Sequence, residues 1–267
     1  MSETTTETDS IRAFLNELDI RIRARYPLIA INTYEEDRVR EALLDLVFQE
    51  RHKEKPLYFW SRPTGLQKIV DPKEGIEQNP ITVPDTDDPE SVLGYISEQK
   101  TGIFLLCDYA PYISPYGQED ALLVRRLREI AWKLKSTKAT VLFVGPNFPE
   151  LKTLEKEVTQ IELELPKESE IEDSIELQLD NLKANGLDIS LNKETQDALL
   201  QSLLGLTAGE ISNVIAKAVI SCNGLNQESI NVILEEKKNV IRGSGSLTYV
   251  HPEPASSLGG YKQLRAI

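Results

Sequence analysis

Short apolar runs alternate with helix-period segments over the first 165 residues of the chain. The first helix is predicted to begin at Asp9 or Ser10, either of which can cap it, and to end before Pro27. Four apolar runs then predict buried strands, and a fifth strand is predicted where Ile and Leu alternate with Glu. The five predicted strands are residues 28–31, 57–60, 103–107, 139–144 and 161–165.

Helical patterns separate these strands and determine the type of sheet that we expect. Thr33 and Glu36 form a potential capping box for a helix that follows the first strand almost directly. A second helix, with apolar positions from Leu123 to Leu134, leads into the fourth strand, whereas the polar residues 71–90 suggest a surface excursion. Because parallel neighbours need crossover connections, this alternation predicts a parallel sheet with helices on its faces.

After residue 165 the strand patterns stop and a separate all-helical lobe is predicted. Glycines separate its helices, and a Gly-, Ser- and Pro-rich linker follows at 243–258. The predicted helices are residues 167–185, 193–204, 208–222 and 227–242. The predicted divisions are a tail and helix (1–25), an α/β domain (26–166), a helical domain (167–242) and a linker with the start of another domain (243–267).

The composition narrows the classes of partner and cofactor. A formal net charge of -13 disfavours nucleic acid and anionic lipid, and no apolar run is long enough to span a membrane. Cys107 and Cys222 both follow apolar residues and are expected to be small buried hydrophobes rather than a disulfide. His52 and His251 lack ligand-like spacing, so no metal site is predicted. The polar N-terminus predicts a cytoplasmic protein, or a stromal one if it is plastid-encoded.

Several segments resemble one known family. They include LDIRIRARYPLIAINTYEEDRVREAL, GIFLLCDYAPYI, VRRLREIAWKLKSTKATVLFVGP and LLGLTAGEISNVIAKAV. Together they resemble the N-terminal half of the AAA ATPase-like (ycf-type) proteins of cyanobacteria and algal plastids. The resemblance implies a degenerate AAA+-like P-loop NTPase fold, with a five-stranded parallel sheet and a small all-helical lid domain. In that family an ATP-binding AAA domain follows, and the closing SLGGYKQLRAI resembles its entry segment.

The phosphate-binding loop of such proteins, GxxxxGK[ST], belongs between the first strand and its helix. This chain has NTYEED at that place. The carboxylates of Glu35, Glu36 and Asp37 stabilise the helix dipole themselves and would repel a triphosphate. The sequence therefore predicts a chain without catalytic residues and without a cofactor of its own. ATP and Mg²⁺ are implied only for the domain that follows in the family.

Two polar residues occupy places that bind nucleotide in the family. Asp108 ends the third strand at the position of a Walker-B aspartate, although Tyr109 stands where a glutamate is usual. Asn147 follows the fourth strand at the position of a residue that senses the terminal phosphate. Both residue types are also common in turns, and that alternative stays open.

Two further segments are judged against the family pattern. The stretch GLTAGEISNVIAKA resembles the lid helix but lacks its arginine, since Glu210, Asn213 and Lys217 occupy the exposed positions. The basic residues Arg125, Arg126 and Arg128 are candidates for contact with a neighbouring AAA subunit, or they form a solvated helix face.

Three functions remain as hypotheses. The first is a non-catalytic module for assembly, regulation or client binding that docks on protein partners, including AAA subunits. The second is one half of an active AAA ATPase whose P-loop domain lies downstream. The third is a magnesium-dependent phosphoryl-transfer site built from Glu35, Glu36 and Asp108, since carboxylates at neighbouring strand ends converge in α/β folds.

Overall fold

The computed structural model describes residues 9–49, 51–52, 55–70, 80–184, 192–222 and 224–243. These residues form two compact units. The first unit extends to Glu170 and also includes the short segment Thr207–Gly209, and the second contains residues 171–206 and those after 209.

A seven-stranded mixed sheet organises the first unit, in the order β4-β3-β2-β5-β6-β1-β7. Five strands, β1, β2, β5, β6 and β7, run parallel to their neighbours, and β3 and β4 add an antiparallel extension to β2. The strand bounds are β1 Leu28–Asn32, β2 Leu57–Ser61, β3 Gly65–Lys68, β4 Ile81–Val83, β5 Thr101–Cys107, β6 Lys138–Gly145 and β7 Val158–Glu162.

The prediction of a five-stranded sheet was wrong in strand number because β3 and β4 are too short to give a clear strand signal. β4 is the three-residue segment Ile81–Val83, none of it buried, and β3 has one buried apolar side chain, Leu66. A tight turn at Gly65, with φ of 65°, folds β3 back on β2, and the indole nitrogen of Trp60 donates to the Thr86 carbonyl at 2.6 Å. The part of the predicted surface excursion at 71–79 lies outside the described residues.

The fifth strand is also displaced from its predicted position at 161–165. Its register with β1 runs from Leu28 opposite Val158 to Asn32 opposite Glu162. Leu163 remains buried beyond the last pair, so the apolar alternation continues past the end of the strand. The alternation of apolar and charged residues therefore predicted the strand three residues too late.

Helices cover both faces of this sheet and bury two separate clusters of apolar side chains. Successive β1 residues point to opposite faces: Leu28 and Ala30 pack in one cluster and Ile29 and Ile31 in the other. Helices α1 and α2 contribute to the cluster of Ile29, and α3 and α5 to that of Leu28. The helix bounds are α1 Ser10–Arg23, α2 Glu36–Phe48, α3 Pro89–Ser97, α4 Ala110–Ile113 and α5 Ala121–Leu134.

The predicted side-chain caps of the first two helices were wrong. Asp9 precedes α1 without capping it, and its carboxylate instead accepts a hydrogen bond from the Ser169 hydroxyl at 2.8 Å. The hydroxyl of Thr33 accepts from the Glu35 amide at 3.0 Å, so Thr33 lies two residues before the N-cap position, and α2 begins only at Glu36.

The second unit is all-helical, as the sequence predicts. It contains most of α6 Glu168–Ala184 and of α8 Ala208–Cys222, together with α7 Lys193–Leu203 and α9 Gln227–Gly243. The inward face of α8 carries four buried residues, as its period predicts, and the exposed Lys217 pairs with Glu236 of α9. The inward residues are Ile211, Val214, Ile215 and Ala218. The predicted linker from residue 244 onward lies outside the described residues, and no described helix is long and apolar enough to cross a bilayer.

Candidate functional site at the carboxyl edge of the sheet

The carboxyl ends of β1, β5 and β6 bring the sequence-predicted site residues to one edge of the sheet. Asn32 of β1 lies opposite Gly145 of β6, and Cys107 of β5 lies opposite Val144. A cavity of about 210 Å³ opens at this edge. Ligand sites for small molecules usually exceed about 300 Å³, so this cavity is small for a nucleotide. Its lining residues are Asn32, Thr33, Tyr34, Glu35, Pro146, Asn147, Glu162, Leu163, Leu165 and Thr207.

The loop after β1 turns a carboxylate inward where a P-loop would present amides. Glu35 is 8% exposed. One of its oxygens accepts a hydrogen bond from the guanidinium of Arg38 at 2.6 Å. The other accepts from the backbone amide of Ala208 at 2.6 Å, in the short segment that groups with the first unit. Glu35 is thus hydrogen-bonded through both oxygens to protein donors.

Arg38 joins this carboxylate to a second one. Its guanidinium contacts a Glu170 oxygen and the Ser10 hydroxyl, both at 2.9 Å. Glu170 also accepts hydrogen bonds from the amides of Ser10 at 2.9 Å and Lys167 at 3.1 Å. Burial raises the pKa of Glu170, but the hydrogen bonds and the charge of Arg38 outweigh it and lower the pKa below its ordinary value. The network of Glu35, Arg38, Glu170 and Ser10 is therefore ionic and internally satisfied.

This network takes the donors that a phosphate would require. A backbone amide at a helix N-terminus and a guanidinium are the groups that bind phosphate in proteins. Here both donate to Glu35, and a phosphate brought to them would meet the carboxylates of Glu35 and Glu170 at close range. The local charge and the hydrogen-bonding arrangement both oppose phosphate binding.

Only part of this network can be predicted from the sequence. Glu35 was identified from its place after the first strand, but Arg38 and Glu170 were not. The spacing of three between Glu35 and Arg38 on a helix end is a signal that could have identified the first pair. No local signal connects Arg38 to Glu170, which is 132 residues away in the chain.

Asp108 and Asn147 both lie at strand ends in a left-handed backbone conformation. Their φ angles are 49° and 56°, a region that Asp and Asn enter more readily than most residues. Both side chains are exposed and form no hydrogen bond or ion pair within the described part of the chain. The neighbouring Gly145 has φ of 156°, and a Cβ there would lie 3.3 Å from a carboxylate oxygen of Asp108. Their backbone geometry is that of turn residues, and their predicted nucleotide roles stay predictions.

The three carboxylates of the magnesium hypothesis do not converge. Glu35 is held by Arg38 and Ala208, whereas Glu36 lies 3.4 Å from Arg40 and close to the thiol of Cys107. Among the described residues no group of three His, Cys, Asp or Glu side chains is placed to hold a metal ion. The contacts of Glu35 and Glu36 therefore do not support the hypothesis of a magnesium site built from Glu35, Glu36 and Asp108.

The cysteines carry no disulfide. Cys107 is buried, as predicted, whereas Cys222 is half-buried. Burial, and next the charge of Glu36, raise the pKa of the Cys107 thiol far above its ordinary value. Cys107 is consequently a neutral thiol beside the candidate site rather than a nucleophile.

The predicted interaction arginines lie on α5 and differ in their contacts. Arg125 pairs with Glu129 at 2.7 Å on the same helix, and its guanidinium lies 5.5 Å from the centre of the Trp132 ring. Arg126 contacts Glu90 of α3 at 2.8 Å. Arg128 donates to the Thr153 carbonyl, beyond β6. They stabilise the first unit locally, and their contact with a neighbouring subunit stays a prediction.

A buried pair of titratable residues lies beside this unit's core and was missed by the sequence analysis. The imidazole Nε2 of His52 donates to a carboxylate oxygen of Asp19 at 2.6 Å. Arg23 and Arg51 contact the other oxygen of Asp19, at 3.1 Å and 2.9 Å. His52 is 1% exposed, so it has no access to a substrate and fastens the loop after α2 to α1.

Comparison with known proteins shows which family the chain belongs to. The model for the N-terminal domain of SpoVK-like AAA ATPases matches residues 14–163, and the model for their second domain matches residues 169–244. The uncharacterized AAA domain-containing protein ycf46 of Trieres chinensis is 24% identical over 253 residues, 94% of this chain and 47% of that protein. The ycf46 protein of Guillardia theta is 24% identical over 255 residues, 95% of this chain and 47% of that protein.

The chain spans about half the length of these curated relatives. Among solved structures, C. elegans PCH-2 gives a TM-score of 0.51 at 9% identity, over 87% of this chain and 69% of that one. At this identity the likeness shows a shared fold. The relatives confirm the family resemblance of the sequence, and the matched model covers more than half of the residues. The chain belongs to the SpoVK-like AAA ATPase family.

Proposed function

We propose that this chain is a non-catalytic AAA-like module that docks on protein partners, including AAA subunits, in assembly, regulation or client binding. The observation that supports it is Glu35, whose carboxylate accepts hydrogen bonds from Arg38 and from the Ala208 amide at the place of a phosphate-binding loop. The hydrogen-bond donors that could bind a phosphate here already donate to a side chain of the module, so they are not free to position a triphosphate.

The energetics support the same conclusion. Binding ATP here would break two charge-assisted hydrogen bonds, which contribute about 1.5–3 kcal/mol each when they involve a charged group. It would also bring four negative charges next to Glu35 and Glu170. In P-loop enzymes the same position offers amides and a lysine instead.

Helix α5 supports the docking part of the proposal. Leu122 and Trp132 on this helix are 56% and 51% exposed. Exposed tryptophan and arginine are the residue types that contribute most often to protein interfaces. Arg125 lies against the Trp132 ring, so the same helix presents both residue types to solvent.

The experiment that tests the proposal measures ATP hydrolysis and ATP binding by the purified chain. We expect no ATP hydrolysis above a mock preparation and no rise in unfolding temperature with millimolar Mg-ATP, since a ligand at one hundred times its Kd would add about 2.7 kcal/mol. As a matched variant, Glu35→Ala frees Arg38 and the Ala208 amide, and we expect it to bind inorganic phosphate more tightly than the wild-type chain. Hydrolysis by the wild-type chain that Asp108→Asn abolishes would refute the proposal.

A second function is favoured by the length of the relatives. Because the chain spans about half of each, we propose as the alternative that it is one half of an ATPase whose nucleotide is bound by a further AAA domain. This alternative predicts a GxxxxGK[ST] motif encoded within a few hundred nucleotides downstream. Absence of that motif in all reading frames would exclude it, whereas its presence would make this module the non-catalytic partner of an active domain.

A further inference from the structure

A second cavity, of about 400 Å³, lies at the amino edge of the sheet, opposite the candidate site. β1 and β7 run parallel, so the residues that precede them lie together at this edge. The volume falls within the range of small-molecule sites. The cavity is lined by Ala24, Arg25, Tyr26, Pro27, Lys135, Lys156, Glu157 and Thr159.

Three cations surround this cavity in a chain whose formal net charge is -13. The side chains of Arg25, Lys135 and Lys156 form no hydrogen bond or ion pair with any described residue. The carboxylate of Glu157, which also lines the cavity, lies 3.9 Å from Arg128 instead. By contrast, the arginines of α2 and α5 just described all have acidic or carbonyl partners. Three exposed cations that line one cavity without a partner among the described residues give it a local positive charge, which favours an anionic ligand.

The backbone of Arg25 gives independent support. It follows α1 in the left-handed conformation, with φ of 63°. The amides of Arg25 and Tyr26 donate to the carbonyls of Ile22 and Arg21, which is the hydrogen-bond pattern of a Schellman motif. Glycine is favoured at this position because a Cβ is unfavourable there. The chain therefore carries an arginine where the backbone alone favours glycine.

Helix termini account for only part of this charge. Arg25 and Lys135 lie at the carboxyl ends of α1 and α5, where cations interact favourably with the helix dipole. Lys156 lies at no α-helix end, since it follows the short 3-10 helix Lys152–Leu154. The helix dipoles therefore do not explain why Arg25, Lys135 and Lys156 all line the same cavity.

We propose that this cavity binds a small molecule carrying two linked phosphate groups. The guanidinium of Arg25 can bind one phosphate through two hydrogen bonds, and Lys135 and Lys156 supply point charges for the second. The partly exposed ring of Tyr26 forms an apolar wall beside them. This site is at the opposite edge of the sheet from Glu35, and it stands whether or not the proposed non-catalytic function is correct.

The test is calorimetric titration of the whole chain with inorganic pyrophosphate at low ionic strength. Arg25→Gly is the decisive variant because it removes one cation and gives the backbone its favoured residue. We expect about tenfold weaker binding, the loss of one charge-assisted contact, with an unfolding temperature equal to or above that of the wild type. Lys156→Gln should weaken binding similarly.

A matched control locates the binding. Lys133→Gln removes a cation of α5 that pairs with Glu98 outside the cavity. This variant should bind pyrophosphate within about twofold of the wild type, as expected for a change at a distant site. The proposal is overturned if the wild-type chain binds no pyrophosphate, or if Arg25→Gly binds as well as the wild type. Equal affinity for a triglutamate peptide would also overturn it, because that result indicates unselective attraction of anions.

Discussion

At the scale of single residues, Glu35 carries the main functional argument. Its carboxylate contacts a helix-terminal amide and a guanidinium, the same two donor types that hold phosphate elsewhere. A ligand phosphate is present only when bound, whereas a side chain is covalently attached and always present. The loop after β1 is consequently fixed by the chain itself rather than by nucleotide.

Replacing Glu35 should therefore reduce stability. We expect Glu35→Ala to lower the free energy of unfolding by about 2–4 kcal/mol, because it leaves the Ala208 amide without its acceptor and the half-buried Arg38 with one carboxylate fewer. Glu35→Gln keeps an acceptor and should cost less. Urea denaturation measures both, with Glu41→Ala, an exposed carboxylate of the same helix, as the control. A cost for Glu35→Ala no larger than for Glu41→Ala would contradict the network.

The buried His52 predicts a pH dependence. Burial lowers the pKa of His52 below its ordinary 6.5, although the hydrogen bond to Asp19 opposes this. A group with a lowered pKa in the folded state contributes stability above its unfolded pKa and loses it as the pH falls. We expect the free energy of unfolding to begin falling below about pH 6.5, and His52→Gln, which keeps a donor for Asp19, to flatten the profile between pH 7 and 5. An unchanged slope in that variant would show that another group is responsible.

Asp19 adds a second step at lower pH. Burial raises its pKa, but hydrogen bonds from His52 and Arg23 and the charge of Arg51 prevail, so the pKa lies below the ordinary 3.8. The stability from these contacts is present above about pH 4 and is lost as the pH falls through the lowered pKa.

The sequence could predict the site only where the signal is local. Asp108 and Asn147 were correctly placed at strand ends because an apolar run followed by a polar residue marks such an end. The pairs Arg38 with Glu170 and Asp19 with His52 join residues 132 and 33 positions apart, and only the fold brings them together. Side-chain partners across the fold are set by packing, which periodicity does not encode.

Among the elements, local apolar patterns decide which helices and strands could be predicted. The helices with strong apolar periods, α1, α2 and α5 to α9, and the four buried strands all follow from the pattern of apolar residues in the sequence. Strand β3 is held mainly by backbone pairing to β2, and β4 by pairing to β3, and the backbone is the same for every sequence. An edge extension with little apolar surface leaves almost no trace in the sequence.

Two arginines of α5, Arg128 and Arg125, are expected to differ in how much they contribute to stability. Arg128 reaches across to the Thr153 carbonyl and Glu157, and we expect Arg128→Ala to lower the free energy of unfolding by about 1 kcal/mol. Arg125 pairs only within its own exposed helix face, so Arg125→Ala should change stability by less than about 0.5 kcal/mol. Urea denaturation of the two variants tests this order. A larger loss for Arg125→Ala would reverse the assignment and remove Arg125 as an interaction candidate.

Over the whole molecule, acidic residues outnumber basic ones. The formal net charge is -13, from 43 acidic and 30 basic residues. Many acidic side chains have basic partners, but α6 carries Glu172 and Glu176 four residues apart. Like charges at that spacing lie on the same face of a helix and destabilise it. Self-repulsion of this kind opposes the compact state.

Salt should therefore stabilise the protein. Raising NaCl from about 20 to about 200 mM shortens the Debye length from roughly 20 to roughly 7 Å, which screens exposed like charges but affects the partly buried pairs of Arg38 much less. We expect the midpoint of urea denaturation to rise with salt. Glu176→Lys replaces the repulsion between Glu172 and Glu176 by an attraction, so it should raise the midpoint at low salt and reduce its salt dependence. A midpoint that falls with salt in the wild-type chain would show that ion pairs, rather than net repulsion, dominate its electrostatic free energy.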